Sequence, residues 1–200
     1  MTNSATKPVF KLGSIHTITI RKLIYQGWGL GELDTLKVFV PNTVPGDTVE
    51  VKLIKRKKRF FHGKVVKWLT RSSSRTTTIC SHYPDCGGCQ LIDCSYETQL
   101  ELKSQIIDDC IHQFLPDLKD SISPILGAPS NEYYRNKMEF AFFTENKTIQ
   151  LGLKRRGHYD QVIPTPTCHL LSEEGNKIAI TTAKFFSNTE LKTWDYEHNT

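Results

Sequence analysis

Residues 80–89 read CSHYPDCGGC, and no other stretch restricts this chain so tightly. Three thiols fall within ten residues, and Cys86 and Cys89 are spaced C-x-x-C across Gly87 and Gly88. Such a turn aims both sulfurs at one point only if the backbone between them folds tightly. Glycine permits this because it reaches positive φ without steric cost. A basic, strand-like segment precedes the turn, and a helix and a hairpin follow it. The arrangement points to a metal ion or an iron–sulfur cluster that pins these parts together.

The chain has six cysteines: Cys80, Cys86, Cys89, Cys94, Cys110 and Cys168. An even number suits disulfides in an exported protein, but the first residues, MTNSATKPVFKLG, hold no apolar signal core. The expected compartment is the cytoplasm, where clustered thiols are more often metal ligands than bridges. No apolar run approaches the ~20 residues of a membrane span, so no membrane partner is expected. The candidate ligands are Cys80, Cys86, Cys89 and the distant Cys168, and Cys94 could replace Cys168 on spacing alone. A zinc ion held by four thiolates and a 4Fe–4S cluster both fit four ligands. His82 and His169 adjoin ligand positions, which leaves a zinc site of three cysteines and one histidine open. Cys110 lies on an apolar helical stripe and reads as a core residue.

Charge divides the chain at the same point. Up to Ile79 there are 15 Lys and Arg against 4 Asp and Glu, and from Cys80 onward 11 against 17. A front part this basic calls for a polyanionic partner, most simply nucleic acid. Its strands read as a small β-barrel over residues 14–69. Val49, Val51 and Leu53 alternate with charged residues, and β-branched side chains dominate. The GWGLGEL segment lacks a dinucleotide fingerprint, so its glycines are expected to mark the bends of a barrel wall. Lys55, Arg56, Lys57, Lys58 and Arg59 crowd one hairpin tip, where they repel one another unless an anion approaches. Tyr25, Trp28 and Phe60 could stack on bases or fill the barrel core. The polar TRSSSRTTT stretch reads as a linker. The expected organisation is a β-barrel at 8–69, a linker at 70–79 and an α/β domain at 80–200. The fold class is α+β.

Behind the cysteine turn, Ser95 is the expected N-cap of a helix that Pro116 ends. Its inward face is expected to carry Leu100, Ile107, Cys110, Ile111 and Phe114. Residues 133–144 and 148–154 are expected to pair as a hairpin around Glu145, Asn146 and Lys147. A third strand is expected at 159–163, and Ser172 starts a second helix that runs to about Phe186. Residues 191–200 read as a chain leaving a strand. Arg135, Lys137, Arg155 and Arg156 are further candidates for RNA backbone contacts.

These motifs together resemble the iron–sulfur members of the RNA (uracil-5-)-methyltransferase family. The likeness is carried by C-x5-C-G-G-C-Q with Tyr96, Gln99 and Lys103 following, and by YRNKMEF at residues 134–140. LGLKRRGHYDQV at residues 151–162 and the C-x-L of Cys168 and Leu170 extend it. The front barrel resembles a TRAM domain, an RNA-binding module. The resemblance implies a 4Fe–4S cluster on Cys80, Cys86, Cys89 and Cys168, and with all four irons capped its role would be structural. It implies methylation of uracil C5 from S-adenosylmethionine, with a cysteine thiolate adding to C6 to activate C5 and the target base extruded. After residue 170 no strand, glycine-rich turn and helix follows for that cofactor. The chain therefore reads as the RNA-binding and cluster-bearing front of a 23S rRNA methyltransferase, catalytically inactive alone and monomeric. Ribosomal RNA is the expected partner, with tRNA possible. The competing reading is a free-standing RNA-binding module stabilised by a cluster or by zinc.

Overall fold

In the computed structural model, residues 10–194 are described. Residues 1–9, on which most of the expectation of no signal sequence rests, and residues 195–200 of the final segment lie outside them. The chain forms two compact units, one of residues 10–76 with Asp93–Ile125, the other of Thr77–Ile92 with residues 126–194. No helix among the described residues is long and apolar enough to cross a membrane.

The first unit holds six strands: β1 (Ile15–Thr19), β2 (Lys22–Ile24), β3 (Trp28–Leu33), β4 (Leu36–Val40), β5 (Thr48–Arg56) and β6 (Phe60–Thr70). They form one sheet in the order β1-β5-β6-β4-β3-β2. Only β4 and β6 pair in parallel. The edge strands β1 and β2 are consecutive in the chain, joined through Ile20 and Arg21 alone, so the sheet must curl to bring its two edges together. The expected alternation holds: Val49, Val51 and Leu53 point inward with Ile18, Ile20, Val38, Val40 and Phe61 to make the core. Inside β3 the glycines serve close approach rather than bending. A Cβ on Gly29 would collide with Thr43, and one on Gly31 with Ile18.

Residues 70–79, expected as a linker, contain a buried ion-pair centre. Asp47 is fully buried, and its carboxylate accepts from the backbone N–H of Val44 at 2.7 Å and of Ser72 at 2.9 Å. Arg75 donates to it from Nη2 at 2.6 Å and from Nε at 3.0 Å. The same guanidinium pairs with Asp93 and donates to the Asn42 carbonyl at 2.9 Å. Trp68 lies under Arg71 and Arg75. This polar segment is therefore fixed to the barrel by charge-assisted bonds.

Helix α1 (Tyr96–Phe114) is capped as expected, the Ser95 hydroxyl accepting from the Thr98 N–H. Its buried face is a different one. Leu102 is the buried residue, Asp109 pairs with Lys22 of β2 at 2.7 Å, and Cys110 is exposed. Phe114 is 70% exposed and Ile107 45%. The expectation of Cys110 as a core residue is corrected: the helix turns the Leu102 and Asp109 side toward the sheet, leaving Ile107, Cys110 and Phe114 of the expected stripe exposed.

The second unit is a three-stranded antiparallel sheet of β7 (Ala141–Glu145), β8 (Thr148–Lys154) and β9 (Val162–Pro164), with α2 (Glu173–Ser187) packed on β8. The turn at Asn146 and Lys147 has both residues at positive φ, as a tight hairpin requires. Residues 133–140 do not extend the hairpin. Tyr133 has a φ of 56°, and the N–H groups of Tyr133 and Arg135 donate to His169 and Leu170 carbonyls. The segment thus pairs with the chain around Cys168 instead of with β8. Helix α2 starts as expected, the Ser172 hydroxyl accepting from the Gly175 N–H at 3.1 Å.

Candidate functional site

Cys80, Cys86, Cys89 and Cys168 all line one cavity in the second unit. Three come from the turn and one from the segment before α2. Cys94 is absent from the lining; it is buried in the first unit, bridged to Arg75. On the described residues Cys168, not Cys94, is the distant thiol that joins the other three.

The turn is held from both sides. Within it, the Cys86 N–H donates to the His82 carbonyl at 2.8 Å, and the Gly88 N–H points at the Cys86 sulfur at 3.4 Å. From the end of β8, the Lys154 carbonyl accepts from the Gly87 N–H at 3.0 Å, and the Arg156 N–H donates to Asp85. The Arg156 guanidinium then donates to three turn carbonyls: Pro84 at 3.2 Å, Cys86 at 2.9 Å, and Cys89. Arg155 faces Asp85 at 3.4 Å. On the other side, the Cys168 N–H donates to Asn176 Oδ1 at 2.8 Å. Asn176 Nδ2 in turn donates to the carbonyls of Cys168, Leu171 and Ser172. Buried Asn176 thus anchors the fourth thiol to the first turn of α2.

The thiols affect one another's ionisation. Burial pushes Cys89 up to about 11, helped by the nearby Cys168, Cys80 and Cys86 and opposed by Arg135. Cys86 is also raised, first by burial, with the Gly88 N–H acting against it. His82 is lowered by burial and then by the charge of His169. A cation at the centre of such a set relieves this mutual repulsion, since thiolates are the ligating form. Among the described residues, however, no three His, Cys, Asp or Glu side chains are gathered closely enough to hold a single ion.

The remaining sequence-derived candidates separate into two groups. Lys55 and Arg56 end β5, while Lys57, Lys58 and Arg59 make the tip before β6, and all five are exposed. The other four are engaged within the second unit. Arg135 lines the thiol cavity and is raised mainly by its hydrogen bond with Tyr134. Lys137 pairs with Glu139 at 2.9 Å. Arg155 and Arg156 hold the cysteine turn, the guanidinium of Arg156 being occupied by carbonyl oxygens. Sequence reasoning missed Asn176 and the clamping role of Arg156. The one available signal for Asn176 was an amide-bearing poor helix former just inside a helix start.

Comparison with known proteins agrees with the front barrel. Residues 9–66 match the TRAM domain. Over 197 residues the chain is 32% identical to an uncharacterized RNA methyltransferase of Synechocystis, covering 98% of this chain and 42% of that protein. It is 30% identical over 160 residues to the 23S rRNA (uracil(1939)-C(5))-methyltransferase RlmD of Vibrio campbellii, covering 80% of this chain and 36% of the relative. The fold matches the crystal structure of Pyrococcus abyssi tRNA (uracil-54, C5)-methyltransferase in complex with S-adenosyl-L-homocysteine. There the TM-score is 0.64 at 19% identity, over 92% of this chain and 40% of that one. The chain spans about two fifths of the length of these relatives. The matches run along nearly the whole chain and give no support to the expectation that it is catalytically inactive.

Proposed function

We propose that this chain is the RNA-binding and cluster-bearing part of an S-adenosylmethionine-dependent 23S rRNA (uracil-5-)-methyltransferase. The observation that carries the reading is the convergence of Cys80, Cys86, Cys89 and Cys168 on one cavity, in a chain whose relatives are RNA methyltransferases.

The donor set, four thiols around one cavity, fits such a cluster. A 4Fe–4S cluster takes one thiolate on each iron and so spreads its ligands around a larger body. Cys80, Cys86, Cys89 and Cys168 would hold it, with the Gly88 N–H directed at the Cys86 sulfur. When bound, the cluster supplies a covalent tie between the turn and the segment before α2.

RNA is assigned to the basic barrel, where Lys55, Arg56, Lys57, Lys58 and Arg59 offer charge to phosphates. Cys94, outside the cavity, does not suit nucleophilic attack at uracil C6. Cys94 is buried and pushed up to about 11, first by burial and then by Asp93, the opposite of an activated thiolate. Methyl transfer and the S-adenosylmethionine site are therefore assigned to the whole protein and to no described residue.

The test is methyl transfer by the whole protein to unmodified 23S rRNA, using methyl-labelled S-adenosylmethionine, with the product mapped by nuclease digestion. Label on uracil C5 is expected. RNA binding with no transfer to any rRNA or tRNA would replace this reading with the free-standing RNA-binding module.

A further inference from the structure

Four rings meet on the outer face of the barrel. Strand β3 contributes Trp28, β4 contributes Phe39, and β6 contributes Phe60 and His62. Their centroids lie 5.1 Å apart for Trp28 and His62, 4.8 Å for Phe39 and Phe60, and 5.3 Å for Phe60 and His62. The parallel ladder sets Phe39 beside His62 and Lys37 beside Phe60. None of the four belongs to the core. Their strand neighbours Val38, Val40 and Phe61 point inward and are buried, so the rings stand on the opposite face, each only half-buried.

Lysines flank this aromatic patch, with Glu32 of β3 across the ladder from Lys37. Lys37 is exposed beside Phe60, and Lys55 sits across the β5–β6 ladder from His62. Burial, and then the charges of Lys55 and Lys57, hold His62 below its usual 6.5, which keeps the imidazole neutral near pH 7. Half-buried rings on an outer face beside several lysines suit a ligand that is both planar and anionic. Unpaired nucleotides have both properties: base faces stack on rings while phosphates pair with lysines. An acidic peptide would satisfy the lysines and leave the rings without a partner.

We infer that Trp28, Phe39, Phe60 and His62 form a stacking platform for unpaired bases of single-stranded RNA, with Lys37, Lys55 and Lys57 taking the adjoining phosphates. The inference rests on the reading of this chain as an RNA-binding protein, and it moves base contact to the strand face beside the charged tip.

The experiment measures binding of a labelled short oligouridylate, and of an abasic oligomer of equal charge, to the full chain and its Phe60→Leu variant. Leucine keeps apolar volume at position 60 and removes the π face, and a thermal melt verifies folding. The wild type is expected to bind oligouridylate about tenfold more tightly than the abasic oligomer. Phe60→Leu should lose most of that difference and leave abasic binding unchanged. In a Trp68→Phe, Trp194→Phe background, oligouridylate should quench Trp28 fluorescence and the abasic oligomer should not. Equal affinity for the two oligomers, or no quenching, would overturn the platform while leaving RNA binding intact. Failure of the wild type to bind either oligomer or rRNA would overturn the RNA-binding reading and the platform with it.

Discussion

Arg156 Nη2 donates to the carbonyl oxygen of Cys86 at 2.9 Å. The same guanidinium reaches the carbonyls of Pro84 and Cys89, so one side chain from the end of β8 satisfies three acceptors of the cysteine turn. A turn tight enough to converge two thiols points its carbonyls outward, and part-buried carbonyls need donors. Arg156 meets that need with a planar fork that lysine cannot reproduce.

Arg156→Met should therefore loosen the turn. Loss of charge-assisted bonds to carbonyls is expected to cost about 2 kcal/mol of stability, read by urea unfolding of the metal-free protein. Arg156→Lys should recover only part of it. If either variant instead flattened the salt dependence of RNA binding with stability unchanged, Arg156 would be a phosphate ligand after all.

Arg75 is the other arginine whose geometry carries a consequence. It is 6% exposed and pairs with Asp47, which is fully buried, and with Asp93. Arg75→Met would strand two carboxylates without their cation, at an expected cost of about 3–5 kcal/mol. Urea unfolding followed by Trp68 fluorescence checks this, because that ring lies against Arg75. A loss below about 1 kcal/mol would mean that water replaces the guanidinium.

How far the sequence could be read depended on what each signal encodes. The inward run of Val49, Val51 and Leu53 was legible because a strand's period of two assigns faces without knowledge of its partners. The caps at Ser95 and Ser172 were legible because they are local bonds. The inward face of α1 was not, because several faces of that helix carry apolar residues. Which one is covered follows from its packing beside β2, where Lys22 meets Asp109. The setting of each charge was not legible for a related reason. Arg156 and Lys58 look alike in the chain, yet one lies beside a turn rich in carbonyls and the other at an exposed tip.

The tip itself gives a simpler expectation. Replacing Lys55, Arg56, Lys57, Lys58 and Arg59 by serine should weaken RNA binding and reduce its salt slope. The reduction is expected to be about 0.7 log units for each phosphate that the tip no longer neutralises on a single strand. Fluorescence titrations across a range of potassium chloride measure the slope. An unaltered slope would make the tip a solvated turn.

His62 predicts a dependence on acidity. Its folded-state value is lowered from 6.5, chiefly by burial and then by Lys55 and Lys57, so near and below pH 6.5 the unfolded chain binds the proton more readily than the folded one. The stability tied to neutral His62 is present above that pH and is lost as pH falls through the lowered folded value. Thermal melts from pH 7.5 down to 5 should show a decline that is reduced in His62→Gln. Identical profiles for the two proteins would remove His62 as the cause.

The most direct test of the account is iron and acid-labile sulfide analysis, with visible absorbance, on protein purified without oxygen. Wild type, Cys94→Ser and Cys110→Ser should be brown with about four irons per chain, and Cys168→Ser should lose the colour and most of the iron. A colourless wild type carrying one zinc would contradict the account, as would a cluster that survives Cys168→Ser and is lost in Cys94→Ser.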